Sequence, residues 1–250
     1  MKIIINADDF GLNSEVNHAI IKSFLDGVVN STTIMANMPG FEEAVELSNK
    51  FGFTDKIGVH LNLDEGSYVK SENLQKELFF LRKISKNRNR LFYIPKKLKN
   101  MIYEEFVAQI EKVRKKGLRI THLDTHHHIH EILPILKMIF VLLKRYNIPA
   151  VRIINNLNKN TQFIKKTYRN YLNNRIIKSG FNFTEYFGNQ IESIAFLKGI
   201  SNSFGHEKLE IMVHPVYNKK GELVDKINDN EISFDIVKEF IKLRGMRFLA

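Results

Sequence analysis

Short apolar runs alternate with amphipathic segments along most of this chain. Residues 2–7 (KIIINA) are rich in β-branched side chains, which is typical of a short buried strand. Apolar residues then recur at helical spacing from Val16 to Phe24, and we predict a helix that Ser14 caps and Gly27 ends. The same kinds of pattern predict strands at 31–37, 57–63, 118–125, 148–154 and 209–215, and helices at 41–52, 106–117, 131–146, 160–178, 189–200 and 232–245.

Repeated strand–helix units indicate parallel strands joined by right-handed crossovers. About seven such strands favour a distorted (β/α) barrel of the TIM-barrel type, in an α/β fold that forms a single domain over residues 1–250. An open doubly wound sheet is the alternative. The chain contains neither a GxGxxG sequence nor a Walker-type loop, so the sequence gives no support for nucleotide binding.

The regular alternation of predicted strands and helices is interrupted between residues 66 and 103. This stretch is basic and aromatic without one clear period. Long insertions in regular α/β chains often act as lids or binding loops, so we predict a lid-like insertion here. A helical excursion that covers the barrel wall is an equally good interpretation.

Composition narrows the class of protein. An excess of 38 Lys and Arg over 27 Asp and Glu gives a net charge of +11, which favours anionic partners or a lysine-rich solvated surface. The absence of cysteine excludes disulfides and thiolate metal sites. The sequence shows no apolar run of membrane-spanning length and no signal peptide, so no membrane contact is expected and the simplest location is cytoplasmic.

Polar side chains cluster where predicted strands end, and catalytic groups of parallel barrels collect at that edge of the sheet. Four strand ends carry such groups: Asp8 with Asp9, His60, Asp124 with His126, and His214. Taken singly, each has an ordinary explanation as a turn, a helix cap or a hydrogen-bonded core histidine. One carboxylate and two imidazoles together bind a divalent cation and leave positions open for water and substrate.

The stretch THLDTHHHIH (121–130) holds five of the nine histidines. In a fully extended strand its even-numbered residues would all point to one side. One metal ion takes only three or four protein ligands, so some of these side chains must support the site or leave the strand.

Four motifs resemble those of the YdjC-like carbohydrate deacetylases, the chito-oligosaccharide deacetylase family: NADDFG (6–11), GVHLNL (58–63), THLDTHHHIH (121–130) and IMVHP (211–215). The resemblance implies a (β/α) barrel. It also implies a metal-dependent hydrolase that removes N-acetyl groups from N-acetylglucosamine-containing oligosaccharides of the chitobiose type, with or without a phosphate, and releases acetate.

The resemblance also implies roles for individual residues. The ligands of one divalent ion, Mg²⁺ or Zn²⁺, would be Asp9, His60 and His126. The catalytic groups would be Asp8 as general base, His214 as the donor of a proton to the leaving amine, and Arg152 as a residue that steers the base. The supporting groups would be Asp124 and His122. The sequence departs from the family at Asp64, where threonine is common, and at Val216, where glycine is frequent.

Two other functions remain open from the sequence. A metal-dependent phosphoesterase would use the same metal site and suit the basic charge. A basic nucleic-acid-binding protein would explain the interleaved basic and aromatic residues at 82–97, but it leaves the strand-end Asp/His set unexplained, so no nucleic-acid partner is expected. The apolar helix predicted at 131–146 is compatible with a homodimer.

Overall fold

Six parallel strands form one curled sheet, a half-barrel, in the order β4-β3-β2-β1-β6-β5. The structure is a computed structural model that describes residues 1–70, 94–199, 206–243 and 247–248. The six strands are β1 Lys2–Phe10, β2 Ser31–Ile34, β3 Ile57–Leu61, β4 Leu123–Thr125, β5 Tyr186–Asn189 and β6 Lys208–Val213. The predicted α/β class with parallel strands is thereby confirmed.

Helices connect these strands in alternation. Along the described part of the chain they are α1 Ser14–Leu25, α2 Phe41–Phe51, α3 Lys96–Lys115, α4 Leu133–Tyr146, α5 Phe163–Ile177, α6 Gln190–Lys198 and α7 Asp235–Leu243. Short 3₁₀ segments lie at Thr54–Lys56 and His126–Glu131. None of the described helices is both long and apolar enough to cross a membrane.

The central strand β1 shows how the sequence builds the fold. Ile3, Ile5 and Ala7 alternate along it, are at most 1% exposed and join the main apolar core. Asn6 and Asp8 point the other way and are also buried, and the Asn6 side chain donates a hydrogen bond of 2.8 Å to Asp8. The strand is therefore apolar on one face and carries buried polar groups on the other.

The segment predicted as a strand at 148–154 makes only isolated bridges. Val151 pairs with Leu123 of β4, and Ala150 pairs with Asn182, so the segment links the two sides of the half-barrel. The Asn173 side chain accepts the N–H of Ile154 at 2.8 Å and donates to the C=O of Ile154 at 2.9 Å. A side chain therefore makes the hydrogen bonds that a neighbouring strand would otherwise make. These bridges are compatible with a seven-stranded barrel, which stays a prediction.

The structure corrects two predicted helix starts. Asn13 rather than Ser14 caps α1, because the Asn13 side chain accepts the N–H of Val16 at 2.9 Å. The helix predicted to start near Phe106 begins ten residues earlier, at Lys96, so the end of the 66–103 insertion is helical. Residues 71–93 of the predicted lid lie outside the described residues.

A small antiparallel sheet follows β6 and was not predicted. Its strands are β7 Pro215–Tyr217, β8 Leu223–Ile227 and β9 Asn230–Ser233, in the order β7-β8-β9. The Asn218 side chain accepts the N–H groups of Lys220 and Glu222 at 2.9 Å each and so closes the turn between β7 and β8. A two-residue strand β10, Arg247–Phe248, pairs with the start of β1.

Candidate metal centre

Two adjacent aspartates at the end of β1 face different partners. The pairing of β1 with β2 shifts register between Ala7 and Phe10, and Asp9 has a φ of 70°, in the left-handed region that aspartate tolerates better than most residues. The local change in backbone direction turns Asp8 toward the buried interior and Asp9 toward a cavity of about 730 Å³ that both residues line. The two carboxylates are therefore available for separate roles.

Asp9 meets the two histidines that were predicted to share a metal ion with it. Its Oδ1 lies 3.3 Å from His60 Nε2 and 3.0 Å from His126 Nδ1. One ligand atom from each of the three residues falls within 4.8 Å of the others. This set of one half-buried carboxylate and two buried imidazoles fits a divalent cation with further positions open.

His60 is held from behind by Asp124. The two residues are opposite one another in the β3–β4 pairing, and His60 Nδ1 lies 2.6 Å from Asp124 Oδ1. A proton on Nδ1, donated to Asp124, leaves Nε2 free to act as a ligand toward Asp9. Burial alone would lower the pKa of His60, but Asp124 and Asp9 outweigh it and raise that pKa to about 10.

The histidine-rich run leaves the extended conformation after Thr125. Residues His126–Glu131 form a 3₁₀ segment, with positive φ values of 50° and 52° at His127 and His128. His126 turns into the cluster, whereas His127 lies 48% exposed with its Nδ1 2.9 Å from Asp64. An alternating strand face, as an extended conformation would give, is therefore absent from residues 126–131.

The remaining histidines of the run pack away from Asp9. His130 Nδ1 lies 2.6 Å from Thr125 Oγ1, and the ring of His128 contacts Phe187 edge-on at 5.7 Å between centroids. His122 packs against Gly58, where the Cβ of any larger residue would approach its ring to 2.5 Å. The structure thus separates His122 from the Asp9 cluster and places it at a second cavity of about 430 Å³.

Arg152 joins three carboxylates beneath the cluster. Its two terminal nitrogens bind both oxygens of Asp8 at 2.7 Å each, and its Nε donates to Glu210 at 2.6 Å. One terminal nitrogen also lies 2.5 Å from Asp124. Burial works to raise the pKa of Asp8, yet Arg152 outweighs it and holds that pKa well below its usual value.

His214 stands at the end of β6 and lines the same cavity as Asp8, Asp9, His60 and His126. The backbone N–H of His214 donates to Asp225 at 2.8 Å, and its C=O accepts from Lys226 at 2.9 Å. His214 is therefore fixed by strand β8, and within the described part of the chain its buried Nδ1 has no hydrogen-bond partner. Burial raises the pKa of Asp225 to about 6.

Sequence reasoning missed several supporting residues. Glu210 lies just before the IMVHP motif but outside it, and Asp225 sits inside a strand that carries no motif. Thr33, 3.2 Å from His60 Nδ1, looks like any strand threonine. One available signal was a charged residue within an apolar strand, as in the LEIMV stretch that contains Glu210. Buried charges in such positions need a partner, which here is Arg152.

A parallel α/β sheet with an Asp–His–His cluster at the carboxyl ends of its strands defines a protein with a candidate mononuclear metal centre. The family model described as YdjC-like protein matches residues 2–244. The chain therefore belongs to the YdjC-like family.

Curated relatives of this chain carry one name. A protein of Vibrio cholerae serotype O1 is 41% identical over 150 residues, which covers 60% of this chain and 58% of that protein. A protein of Clostridium beijerinckii is 33% identical over 226 residues, covering 87% of this chain and 82% of that protein. Both are named carbohydrate deacetylase, and the match spans little more than half the length of the Vibrio relative.

A solved structure supports the fold. The crystal structure of an Enterococcus faecalis V583 protein, named for cellobiose-phosphate cleavage, aligns with a TM-score of 0.68 at 24% identity. The alignment covers 99% of this chain and 96% of the other. At this identity the likeness supports the α/β architecture alone.

Proposed function

We propose that this protein is a metal-dependent carbohydrate deacetylase. It would hydrolyse N-acetyl groups of N-acetylglucosamine-containing oligosaccharides of the chitobiose type and release acetate. The observation that carries the proposal is the division of Asp8 and Asp9 between two partners, Arg152 for the first and the two imidazoles for the second. The name of the relatives, carbohydrate deacetylase, supports the removal of acetyl groups from a carbohydrate.

Asp9, His60 and His126 would hold the ion, either Mg²⁺ or Zn²⁺. The bound ion would supply positive charge that polarises the acetyl carbonyl and makes a water molecule more acidic. His60 is prepared for this role because Asp124 fixes its ring, and its side chain is only 2% exposed. The cluster therefore offers preorganised ligands rather than flexible surface groups.

Asp8 would accept a proton from the attacking water. Arg152 lowers its pKa, so Asp8 is ionised at neutral pH and has a lone pair for the proton. The two bonds of 2.7 Å from Arg152 also fix the plane of the carboxylate. Arg152 acts here as a positioning residue, through Asp8.

His214 would donate a proton to the sugar nitrogen as the C–N bond breaks. It lines the cavity together with Asp8, and the hydrogen bonds of its backbone to Asp225 and Lys226 limit its movement. Without this proton the leaving group would be an amide anion, which is a very poor leaving group. Proton transfers by positioned side chains typically accelerate such reactions by about 10²- to 10⁴-fold each.

The charges around the cavity favour a sugar without a phosphate. Apart from Asp8, Asp9 and the histidines, the charged residues among the described lining are Glu15, Glu65 and Glu231, which are negative, and Lys226, which is positive. A phosphate ester would be repelled by this set, so the phosphoesterase alternative gains no supporting observation from the described residues.

As part of the proposal, the chain is one domain with a lid-like insertion at about 66–103 and a cytoplasmic location.

The test is acetate release from N,N′-diacetylchitobiose and its phosphorylated form, with wild type and Asp8→Asn each loaded with Mg²⁺ or Zn²⁺. The proposal predicts release by wild type and a loss of most activity in Asp8→Asn, with the unphosphorylated sugar preferred. Absence of acetate from both sugars with either ion would contradict the proposed substrate. Equal release by Asp8→Asn would contradict the assignment of the base.

A further inference from the structure

The two histidines of the metal cluster are supported unequally. His60 has Asp124 at 2.6 Å behind its second ring nitrogen, whereas the second nitrogen of His126, Nε2, is buried and has no hydrogen-bond partner among the described residues. His126 is 8% exposed. Histidines that bind metals almost always donate their other ring N–H to a carboxylate, a carbonyl or water, and that partner fixes the tautomer. The arrangement at His126 is therefore incomplete.

Glu65 provides the missing carboxylate. Its Oε1 lies 3.6 Å from His126 Nε2, slightly beyond hydrogen-bond length. The Glu65 side chain is 45% exposed, so a small rotation about its own bonds can shorten this distance. The contact lies on the side of the ring opposite Nδ1, the atom that faces Asp9 at 3.0 Å.

The backbone around Glu65 is rigid and holds the carboxylate near His126. The Asn62 side chain accepts the N–H of Glu65 at 3.2 Å and donates to its C=O at 3.0 Å, and Asn37 donates to the same C=O at 3.0 Å. Gly66 follows with a φ of 71°, where a Cβ would lie 2.4 Å from the Met38 sulfur. The turn is thus held by buried amides and by a glycine that no other residue replaces without strain.

A second ion between Glu65, His126 and His127 is a weaker interpretation of the same geometry. These three residues do offer ligand atoms within 4.8 Å of one another. However, a neutral imidazole has one lone pair and one N–H, so His126 serves one ion through one nitrogen and donates from the other. An ion at Nε2 would therefore compete with the ion beside Asp9.

We propose that Glu65 is the positioning residue of His126 and that it accepts the Nε2 proton so that the Nδ1 lone pair is directed at the ion beside Asp9. This inference rests on the proposed metal-dependent function. Glu65 then does for His126 what Asp124 does for His60. The loop of residues 62–66 also contacts the histidine turn through Asp64 and His127, at 2.9 Å, which keeps the two segments together.

The test is calorimetric titration of the metal-free full chain with Zn²⁺, for wild type, Glu65→Gln and Glu65→Ala. Loss of such a carboxylate partner typically weakens metal binding by about 10- to 100-fold, and we expect this loss in Glu65→Ala. Glu65→Gln keeps an acceptor oxygen without the charge, so its loss should be smaller. The matched control Glu15→Gln removes one negative charge from the same cavity wall outside the loop, and its affinity should stay close to wild type.

A second readout separates positioning from a merely structural effect. Long-range ¹H–¹⁵N spectra of the zinc-loaded protein report which ring nitrogen of His126 carries the proton, and we expect Nε2–H in wild type. The proton signal should shift or exchange faster in Glu65→Ala, while the unfolding temperature of the metal-free protein stays unchanged.

Three results would overturn the inference. Equal Zn²⁺ affinity of wild type and Glu65→Ala would show that Glu65 does not support His126, and the proposed function would stand. Binding of two ions by wild type, with one lost in Glu65→Ala and the other unaffected, would make Glu65 a direct ligand. Failure of wild type to bind any divalent ion would remove the proposed metal-dependent function together with this inference.

Discussion

Two pairs of histidines in this protein, three of them buried and His122 half-buried, have opposite electrostatic surroundings. Burial tends to lower the pKa of all four, but carboxylates outweigh it at His60 and His126 and raise their pKa values to about 10 and about 9. Burial prevails at His122 and His130 and lowers their pKa values to about 4 each. The same residue type is therefore basic where carboxylates surround it and neutral where it packs against the core.

The difference separates residues of the candidate site from residues that support the fold. His60 and His126 converge on Asp9 beside an open cavity, where an ion replaces protons on the ring nitrogens that face Asp9. His122 fits closely against Gly58, and His130 binds Thr125 inside the 3₁₀ turn. The number of histidines in a motif does not by itself reveal this division.

The largest expected effect concerns the base and not the histidines. Asp8→Asn should reduce the rate of acetate release by about 10²- to 10⁴-fold, because the amide cannot accept the proton from water. Metal affinity should stay near wild type, since Asp9 carries the ligand role. Steady-state rates measure the loss of activity, and a zinc titration measures the metal affinity. A variant that lost metal and activity in parallel would show that Asp8 is itself a ligand.

Removal of one cluster histidine should break the metal site. His126→Ala should weaken Zn²⁺ binding by at least about 100-fold, because one of three protein ligands is lost, and acetate release at a fixed Zn²⁺ concentration should fall with the metal occupancy. The matched control is His122→Asn, which alters another histidine of the same motif but should leave metal affinity unchanged. Titration calorimetry distinguishes the two variants, and full occupancy in His126→Ala would move the ligand to another histidine.

Acid should destabilise the protein through the supporting pair. His122 and His130 titrate near pH 4 when folded and near pH 6.5 when unfolded, so between these values the unfolded state binds more protons. Stability therefore falls as the pH drops from about 6.5 to about 4, by up to about 3 kcal/mol for each histidine. Urea unfolding of His122→Asn should show a shallower pH dependence over this range. An unchanged slope would mean that His122 does not stay neutral in the folded protein.

The cluster pair should give the smallest and most specific signal. With raised pKa values, His60 and His126 carry extra protons at neutral pH in the metal-free protein, and an ion must displace them. Zinc binding should accordingly release up to about two protons per ion at pH 7. Titrations in buffers of different ionisation enthalpy measure this number. Release of no protons at pH 7 would show that the ring nitrogens are already deprotonated.

The sequence alone was enough to predict which residues of the candidate site lie at the ends of strands. Asp8, Asp9, His60, Asp124 and His214 follow or end buried runs, and the common direction of parallel strands places them at one edge. Their motifs also indicated the YdjC-like family, which is confirmed. Arg152 was predicted to lie near the base, and it binds Asp8 across 144 residues of sequence.

Other parts of the site depend on geometry that a local pattern does not carry. The left-handed backbone at His127 and His128 ends the strand, although both residues are non-glycine and look like further strand positions. Asp225 reaches His214 only because β8 pairs with β7, and those short strands, PVY and LVDKI, lack a clear alternation of apolar and polar residues. Glu65 depends on a turn built by Asn62 and Asn37 from separate loops.

The most direct test of the central claim uses one preparation of wild-type protein. The chain is stripped with a chelator and assayed for acetate release from N,N′-diacetylchitobiose, before and after stepwise addition of Zn²⁺ or Mg²⁺. The account predicts no release from the stripped protein and full recovery at one equivalent of the preferred ion. Undiminished acetate release by metal-free protein would contradict it.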